Sequence, residues 1–396
     1  MKTHSVFLAI FLLILNSSFA QVVYLESVSP ITPEVSAQGG SFTAISRGYN
    51  ALFSNPAGFS RERKAGDELF TVSFQGQLYS GLGDFVDLMF VKIPSGFFGG
   101  FDVNNVTQVD YLQKALISGG LGGGANFGLG YVGNNLGLGV GLTSDAYASG
   151  STLLGTGTSI DVTIYGVIGY SQPLKFGDFT LHIGGSVRPI YKLLTQQDLL
   201  LLVDSLLVQQ DFTAIQTTVQ VESGLSVAFD AGLLGEWGPW SLGVSVRDIG
   251  NTNFDFKTNS MKVVIDSFGF PQGGTAVAND HRIPMSINAG VAWQVPLGPL
   301  NTNRTIEWVL HGDVQIPLKG EFNTPSILAA THFGTELRLL SFLFLRGGIQ
   351  QGYITGGFGF RTFFMNLNAS FWAEELGNVS GEQRKPGITI EASFKF

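Results

Sequence analysis

The last ten residues, Gly387-Ile388-Thr389-Ile390-Glu391-Ala392-Ser393-Phe394-Lys395-Phe396, alternate apolar with polar side chains and stop on an aromatic. Successive side chains of an extended strand point to opposite faces. Ile388, Ile390, Ala392, Phe394 and Phe396 therefore form one apolar face, and Thr389, Glu391, Ser393 and Lys395 a polar one. A strand with one face fit for lipid and the other for a polar interior is the unit of a transmembrane β-barrel.

The other end agrees with this reading. Lys2 and His4 precede an apolar run from Val6 to Leu15, followed by Asn16-Ser17-Ser18-Phe19-Ala20 and then Gln21. This pattern predicts a secretory signal peptide, residues 1–20, cleaved after Ala20. The chain has 0 Cys, which excludes a lipid anchor on cysteine and leaves nothing for an oxidising compartment to cross-link.

With 53 Gly, 12% aromatic and 13% charged residues the chain is apolar, yet no later stretch supplies the uninterrupted run that a membrane helix needs. The longest runs, Leu199 to Val203 and Leu206 to Val208, are separated by Asp204 and Ser205. Hydrophobicity is spread over short strands instead. A formal net charge of -8, with no basic stripe, excludes nucleic acid as a partner.

The alternation recurs along the chain. Leu225, Val227, Phe229 and Leu233 oppose Ser226, Ala228, Asp230 and Gly232; Trp240, Leu242, Val244 and Val246 oppose Ser241, Gly243, Ser245 and Arg247. Over 304–316, Ile306, Trp308, Leu310, Val314 and Ile316 oppose Glu307, His311, Asp313 and Gln315. A soluble sandwich alternates too; the signal peptide and Phe396 decide for the membrane. Connections are unequal, tight at Asn134-Asn135, Gly238-Pro239 and Leu340-Ser341 but long over 191–221 and 250–282, as periplasmic turns and extracellular loops are. The fold class is all-β, a transmembrane antiparallel up-and-down β-barrel of about fourteen strands. Strands are expected near 68–78, 124–133, 136–147, 158–171, 178–190, 222–236, 239–249, 283–295, 304–316, 328–340, 342–350, 353–362, 363–374 and 387–396. Residues 83–118 either add a hairpin, raising the count to about sixteen, or form a long first extracellular loop with a short helix around Tyr111 to Ile117; we read the loop.

Residues 21–66 are of different character, with Gly39-Gly40-Ser41-Phe42-Thr43-Ala44 followed by Asn55-Pro56-Ala57-Gly58-Phe59. Pro56 cannot donate a backbone hydrogen bond and Gly58 admits conformations closed to other residues, so the segment is no membrane strand. The GG-x-F-x-A block and the N-P-A-G turn resemble the N-terminal plug of the long-chain fatty acid transporter family of outer-membrane proteins. That family has spirochaete relatives and relatives among secretion scaffolds of Bacteroidetes. Ser241 to Gly250, ending in Asp248-Ile249-Gly250, resembles the family's mid-barrel strand, and Ile283 to Trp293 and Leu345 to Gln350 resemble later ones. The chain departs at Ser54-Asn55, where many members have Trp-Asn, and in 83–118. The resemblance implies a hatch, 21–66, inside the lumen of a barrel formed by 67–396. Its motif residues are Gly39, Gly40, Phe42, Asn55, Pro56, Ala57, Gly58 and Phe59.

Inward glycines, among them Gly137, Gly139, Gly141, Gly184, Gly243, Gly357 and Gly359, leave room for such a segment. Inward polar groups are His182, Arg188, Arg247, Glu307, His311, Asp313, His332, Glu336, Arg338, Arg346 and Arg361. They form either a network that fixes the hatch or a ligand site, since buried polar groups must find partners. In the long loops Phe85, Leu88, Met89 and Phe90, and Leu199, Leu200, Leu202, Val203, Leu206 and Leu207, either pack on one another or offer a capture surface for a hydrophobic, fatty acid-like ligand. No serine pairs with an inward histidine on a lipid face, and His281 beside Arg282 has no evident partner, so no enzyme is expected. No cofactor or metal is expected either. The function that follows is passive passage of hydrophobic molecules such as long-chain fatty acids across the outer membrane. The alternative on the same fold is a surface scaffold or adhesin. Expected partners are outer-membrane lipid, the ligand, and the barrel-assembly machinery reading Phe394 and Phe396.

Overall fold

The computed structural model describes residues 22–62, 69–80, 114, 116, 117, 119–150, 156–198, 216–302, 305–319, 325–377 and 379–396. Its strands are β1 (Val22–Tyr24), β2 (Phe70–Tyr79), β3 (Leu121–Gly133), β4 (Leu136–Gly150), β5 (Thr156–Phe176), β6 (Phe179–Asp198), β7 (Gln220–Trp237), β8 (Trp240–Arg247), β9 (Thr252–Phe254) and β10 (Lys257–Ser260). They continue with β11 (Thr275–Ala276), β12 (Asp280–Ile283), β13 (Ser286–Gln294), β14 (Ile306–Pro317), β15 (Thr331–Leu339), β16 (Leu343–Gln350), β17 (Tyr353–Arg361), β18 (Met365–Glu375) and β19 (Arg384–Lys395).

Fourteen of these, β2 to β8 and β13 to β19, pair antiparallel in that order. β19 then returns to β2, with Gly387 opposite Tyr79 and Lys395 opposite Thr71, so the sheet closes and no edge is left open. Alternation decides the two faces. Phe74, Leu138, Val140, Ile183, Phe229, Leu242, Val244, Phe358 and Ile390 are exposed outside, whereas Ser73, Gln75, Asn126, Asp230, His311, Asn368 and Glu391 are buried inside. An apolar outer belt around a polar interior is the surface of a membrane barrel. Among the described residues no helix is long and apolar enough to cross a membrane.

Most of the tight turns gather at one end of the barrel, while Gln351 and Gly352, φ 54° and 95°, turn β16 into β17 at the other. Asn134 and Asn135 have φ of 52° and 68°, and Leu340 and Ser341 have φ of 51° and 64°. Paired left-handed residues match the twist of a two-residue hairpin, the geometry that asparagine tolerates best. Gly177, φ 61°, makes a further tight turn between β5 and β6.

At the opposite end three expectations change. β5 and β6 run on to Thr156 and Asp198, so residues from Tyr191 to Asp198 belong to a strand and not to a loop. The connection 250–282 is built rather than open. β8 leaves β7 after Val246, and the freed edge of β7 is taken by β10 with Ser223 opposite Lys257, while β9 and β12 pair with each other. A short helix, α2 (Met261–Asp266), follows β10, after the earlier α1 (Pro33–Ser36). His281 does have partners: it is buried, its Nε2 lies 3.4 Å from Glu222, and the edge of its ring meets Phe256. Pairing of β12 with β9 brings it there.

Residues 22–62 run through the barrel from end to end. β1 pairs parallel with β12 at the end of the long connections. α1 then lies on β17 and β18, with Ser36 Oγ 2.8 Å from Ser370 Oγ. Two 3₁₀ turns, Gly48–Leu52 and Pro56–Ser60, follow along β3 to β7. At the tight-turn end Arg61 reaches Glu236 at 2.8 Å and Glu62 reaches Lys175 at 2.8 Å. The buried apolar cluster of the molecule, including Tyr49, Leu52, Phe53, Phe59, Tyr165 and Val167, is thus inside the barrel, between this segment and the wall.

Candidate functional site

The two glycines of Gly39-Gly40 both sit in the left-handed region, φ 69° and 72°. That geometry turns the chain flat against the wall, and a Cβ on Gly39 would strike the carbonyls of Phe333 and Ile349. The Gly39 N–H donates to Thr355 Oγ1 at 3.0 Å, and Thr355 Oγ1 donates to the Ala37 carbonyl at 3.0 Å. The next residues swing so that Phe42 and Thr43 both donate N–H to Asp313, at 2.7 and 2.8 Å. Pro56 starts the second 3₁₀ turn, and the Asn55 side chain caps it by accepting from Ala57 N at 3.1 Å. The same Asn55 amide donates to the Leu233 carbonyl at 3.0 Å and to the Thr43 carbonyl at 3.2 Å, joining wall, turn and glycine block. Gly58 allows the close approach of Ser46, whose O and Oγ lie 2.7 Å from where a Cβ would be.

The inward polar side chains meet this segment in four places. Near the long-connection end, Arg188 is 1% exposed and pairs with Asp230 at 2.6 Å and Asp248 at 2.9 Å. Arg188 and Arg247 each donate to the Val28 carbonyl at 3.2 Å, and Ser27 donates to Asp248 at 2.9 Å. At mid-height His311 contacts Ser41 Oγ and Gln38 Oε1, each at 2.9 Å, and His332 Nδ1 lies 2.7 Å from the Gly39 carbonyl. Toward the tight turns Glu336 takes Arg346 at 2.8 Å, with Arg47 at 3.6 Å and Arg338 at 3.7 Å; Arg338 also lies 3.4 Å from Glu307. The half-buried Arg361 stacks over Phe344 at 5.0 Å. Beside the second 3₁₀ turn His182 bridges Ser60 at 2.8 Å and Glu236 at 3.1 Å.

On its other side, toward β3 and β4, the segment packs on glycine instead. Tyr49, Leu52 and Phe59 face glycines: Phe59 lies 2.6 Å from where a Cβ on Gly137 would stand, Leu52 3.0 Å from that of Gly139, and Tyr49 against Gly128 and Gly130. Phe53 meets Tyr165 edge-on at 5.3 Å. Burial, then neighbouring Tyr165, pushes the Tyr49 hydroxyl well above the ordinary tyrosine range. Against β3 and β4 this seam is apolar and held by contact, while on β5 Ser171 Oγ donates to the Ala57 carbonyl at 2.9 Å and lies 2.7 Å from Ser60 Oγ.

Above the seam, toward the long connections, a cavity of about 930 Å³ lies between residues 24–54 and the wall. Its lining is mixed. Tyr79 donates to Gln77 at 2.7 Å and contacts Asp145, Lys192 is paired with Asp161, and Trp372 donates to Thr389 at 2.8 Å. Lys385 Nζ sits 4.4 Å above the Tyr79 ring and 5.2 Å from that of Tyr147. The space suits a molecule with both apolar and polar parts.

All the plug-motif residues and all eleven inward polar residues named from sequence thus lie at one interface, while Phe85, Leu88, Met89, Phe90 and the leucines from Leu199 to Leu207 lie outside the described residues. Phe394 stacks on Phe364 at 6.5 Å, and exposed Phe396 bonds to Phe70 where the sheet closes. Sequence reading missed Arg47, Arg61, Asp145, Asp161, Lys192, Glu236, Asp248 and Lys385. Asp230 and Glu236 share the inward parity of β7 and were open to the same reasoning, whereas Arg47 and Arg61 lie in irregular chain with no period to follow.

A closed fourteen-stranded barrel with an apolar belt and its own N-terminal residues in the lumen defines an outer-membrane barrel. No protein-family model and no curated protein matches the chain. Among solved structures it is similar to the CymD monoaromatic hydrocarbon channel, with a TM-score of 0.51 and 12% identity over 94% of this chain and 99% of that one. The Pseudomonas putida toluene transporter TodX gives 0.49 at 16% identity, covering 94% and 98%, and a Pseudomonas aeruginosa FadL homologue 0.42 at 9%, covering 93% and 99%. At such identities the likeness to CymD is one of fold.

Proposed function

We propose that the chain is an outer-membrane channel for passive uptake of hydrophobic molecules, long-chain fatty acids among them. The observation that carries this reading is the asymmetry of the lumen. Residues 22–62 are pinned to β6 to β8 and β14 to β18 by hydrogen bonds and ion pairs, and to the lower end of β5 through Ser171 and Lys175, yet among the described residues they meet β3 and β4 through apolar contact against glycine. Displacement from β3 and β4 breaks no hydrogen bond among the described residues, so a hydrophobic molecule can replace those contacts at little cost. The 930 Å³ cavity leads to that seam. The fold likeness to a hydrocarbon channel supports the reading by analogy.

In this scheme residues 1–20 are removed as a signal peptide, 21–66 act as a hatch, and the barrel-assembly machinery inserts 67–396 through Phe394 and Phe396. Ligand is collected by Phe85, Leu88, Met89, Phe90 and the Leu199 to Leu207 leucines, enters the cavity, and passes the seam as the hatch shifts. Binding gains about 0.8 kcal/mol per buried methylene, so affinity for fatty acids in a non-ionic detergent rises roughly tenfold for every two methylenes added. A flat response to chain length removes the reading.

A second reading, a scaffold or adhesin on the same barrel, draws on one observation. Two of the ladders beside Asn55 to Phe59 are unbroken, from Phe179–Leu194 against Glu222–Trp237 and from Ala231–Trp237 against Trp240–Val246, although that of β5 with β6 skips Gly166 and Val167, and Arg-Glu pairs cross the base of the lumen. Deleting 196–210 separates the two: a capture loop lowers uptake with the barrel still folded, whereas a docking loop leaves uptake unchanged and abolishes partner binding.

A further inference from the structure

At the tight-turn end of the lumen lies a small cavity of about 40 Å³, lined by Arg47, Arg338, Arg361 and Lys395 against Glu34 and Glu391. With Glu307, Glu336 and Arg346, which pair with these groups from beside the cavity, five cations face four carboxylates and one positive charge is left over. Both lining carboxylates are already engaged. Glu391 accepts from Ser73 at 2.7 Å and from Asn368 at 2.9 Å, and Glu34 accepts from Asn50 at 2.9 Å. Two of the guanidinium groups, those of Arg338 and Arg361, are not matched in the same way. Arg338 is only 5% exposed, its ion pairs are long at 3.4 and 3.7 Å, and the Nε–H groups of Arg338 and Arg361 have no acceptor among the described residues. Both guanidiniums stand 5.0 Å over the same Phe344 ring, which offsets part of their repulsion but accepts neither N–H.

Two buried donors without acceptors, in a wall with excess positive charge, is an arrangement that an oxyanion completes. We propose that this cavity is an anion subsite. At roughly three water-sized groups its volume fits the three heavy atoms of a carboxylate, with Arg338 and Arg361 donating to its oxygens and Lys395 supplying charge. The carboxylate can be the head of an amphipathic ligand leaving the barrel, an assignment that rests on the uptake reading. A free oxyanion such as inorganic phosphate offers the same chemistry without it.

The test is calorimetric titration of the full mature chain in a non-ionic detergent with octanoate, octanol and inorganic phosphate, on wild type, Arg361→Gln, Arg361→Lys and Arg338→Gln. The expected result is that octanoate binds more tightly than octanol and that Arg361→Gln weakens octanoate about tenfold. Octanol affinity stays constant, and Arg361→Lys recovers part of the loss. Phosphate binding that is lost in Arg361→Gln, with neither amphiphile bound, upholds the site with a free oxyanion as its ligand and removes the uptake reading. Equal binding of octanoate and octanol, unchanged in Arg361→Gln with the barrel folded by heat-modifiable migration, overturns the site and leaves uptake standing. No binding of any of the three overturns both. Should Arg338→Gln fail to fold, Arg361, half-buried at a strand end, decides alone.

Discussion

Asp313 accepts two backbone N–H groups, those of Phe42 and Thr43, through one oxygen while only 3% exposed. Asp313→Ala leaves both donors buried without an acceptor, at about 1–3 kcal/mol each. Amide hydrogen exchange across 38–46 should then accelerate at least tenfold while the barrel strands keep their protection; unchanged exchange would mean that Asp313 is not what holds the glycine block. Tyr49 adds a pH dependence whose sign is fixed. Its folded value lies above the ordinary value of 10.0, so the neutral phenol is the form the fold favours. Stabilisation is complete below 10.0 and is lost as pH climbs toward the raised value. Protease nicking of the segment should increase over that alkaline range, and Tyr49→Phe should remove the increase. Sequence made Asp313 legible as an inward carboxylate, because the parity of β14 assigns it. Its partners were not legible, since nothing local links residue 313 to residues 42 and 43.

The strands were the most readable elements, because lipid on one side and polar interior on the other impose a period of two that survives small errors of register. Where strands rise beyond the lipid that pressure ends. Thr195, Gln196 and Gln197 carry no lipid-facing alternation, and β6 was expected to stop near 190, yet the ladder continues because β5 pairs with it as far as Gly157 opposite Asp198. The small strands of 250–282 were unreadable for the same reason: each is two to four residues long and set by the edges that β7 and β12 offer. The inward glycines of β3 and β4 work the other way, since their meaning lies in what they leave out. Gly137→Leu would drive its side chain into Phe59, whose ring atoms already stand 2.6 Å from the Cβ position. Overpacking of this kind costs about 1–3 kcal/mol. Because β3 and β4 keep their main-chain ladders, the expected outcome is a folded barrel with a loosened segment, read as heat-modifiable migration retained but rapid proteolysis near Phe59. A barrel that fails to fold would show instead that wall and segment assemble as one unit.

At the scale of the whole molecule, closure and occupancy are separate properties. Closure is main-chain work: β19 meets β2 over Gly387 to Lys395, and each other wall strand meets its neighbour. The terminal alternation made this legible. Occupancy is side-chain work, carried by the anchors at Val28, at Gln38 to Thr43 and at Asn55 to Arg61, and by the apolar seam. Only the motif resemblance hinted at it, because irregular chain has no period and its contacts are distant in sequence. The two properties can therefore be uncoupled by removing residues 22–62 behind the signal peptide. The wall should still close, since no strand-to-strand bond involves the deleted residues except the β1–β12 pairing. What the deletion exposes is an inner face of glycines, serines and unpaired charges that water will enter, since a fourteen-stranded wall is wider than the eight strands that side chains can fill. In planar bilayers the shortened chain should give stepwise ionic conductance that the full chain lacks, and Asp313→Ala, with one anchor lost, brief openings between the two. A truncated barrel that folds and does not conduct would mean that something other than residues 22–62 closes the lumen, and the hatch would have to be sought in the long connections.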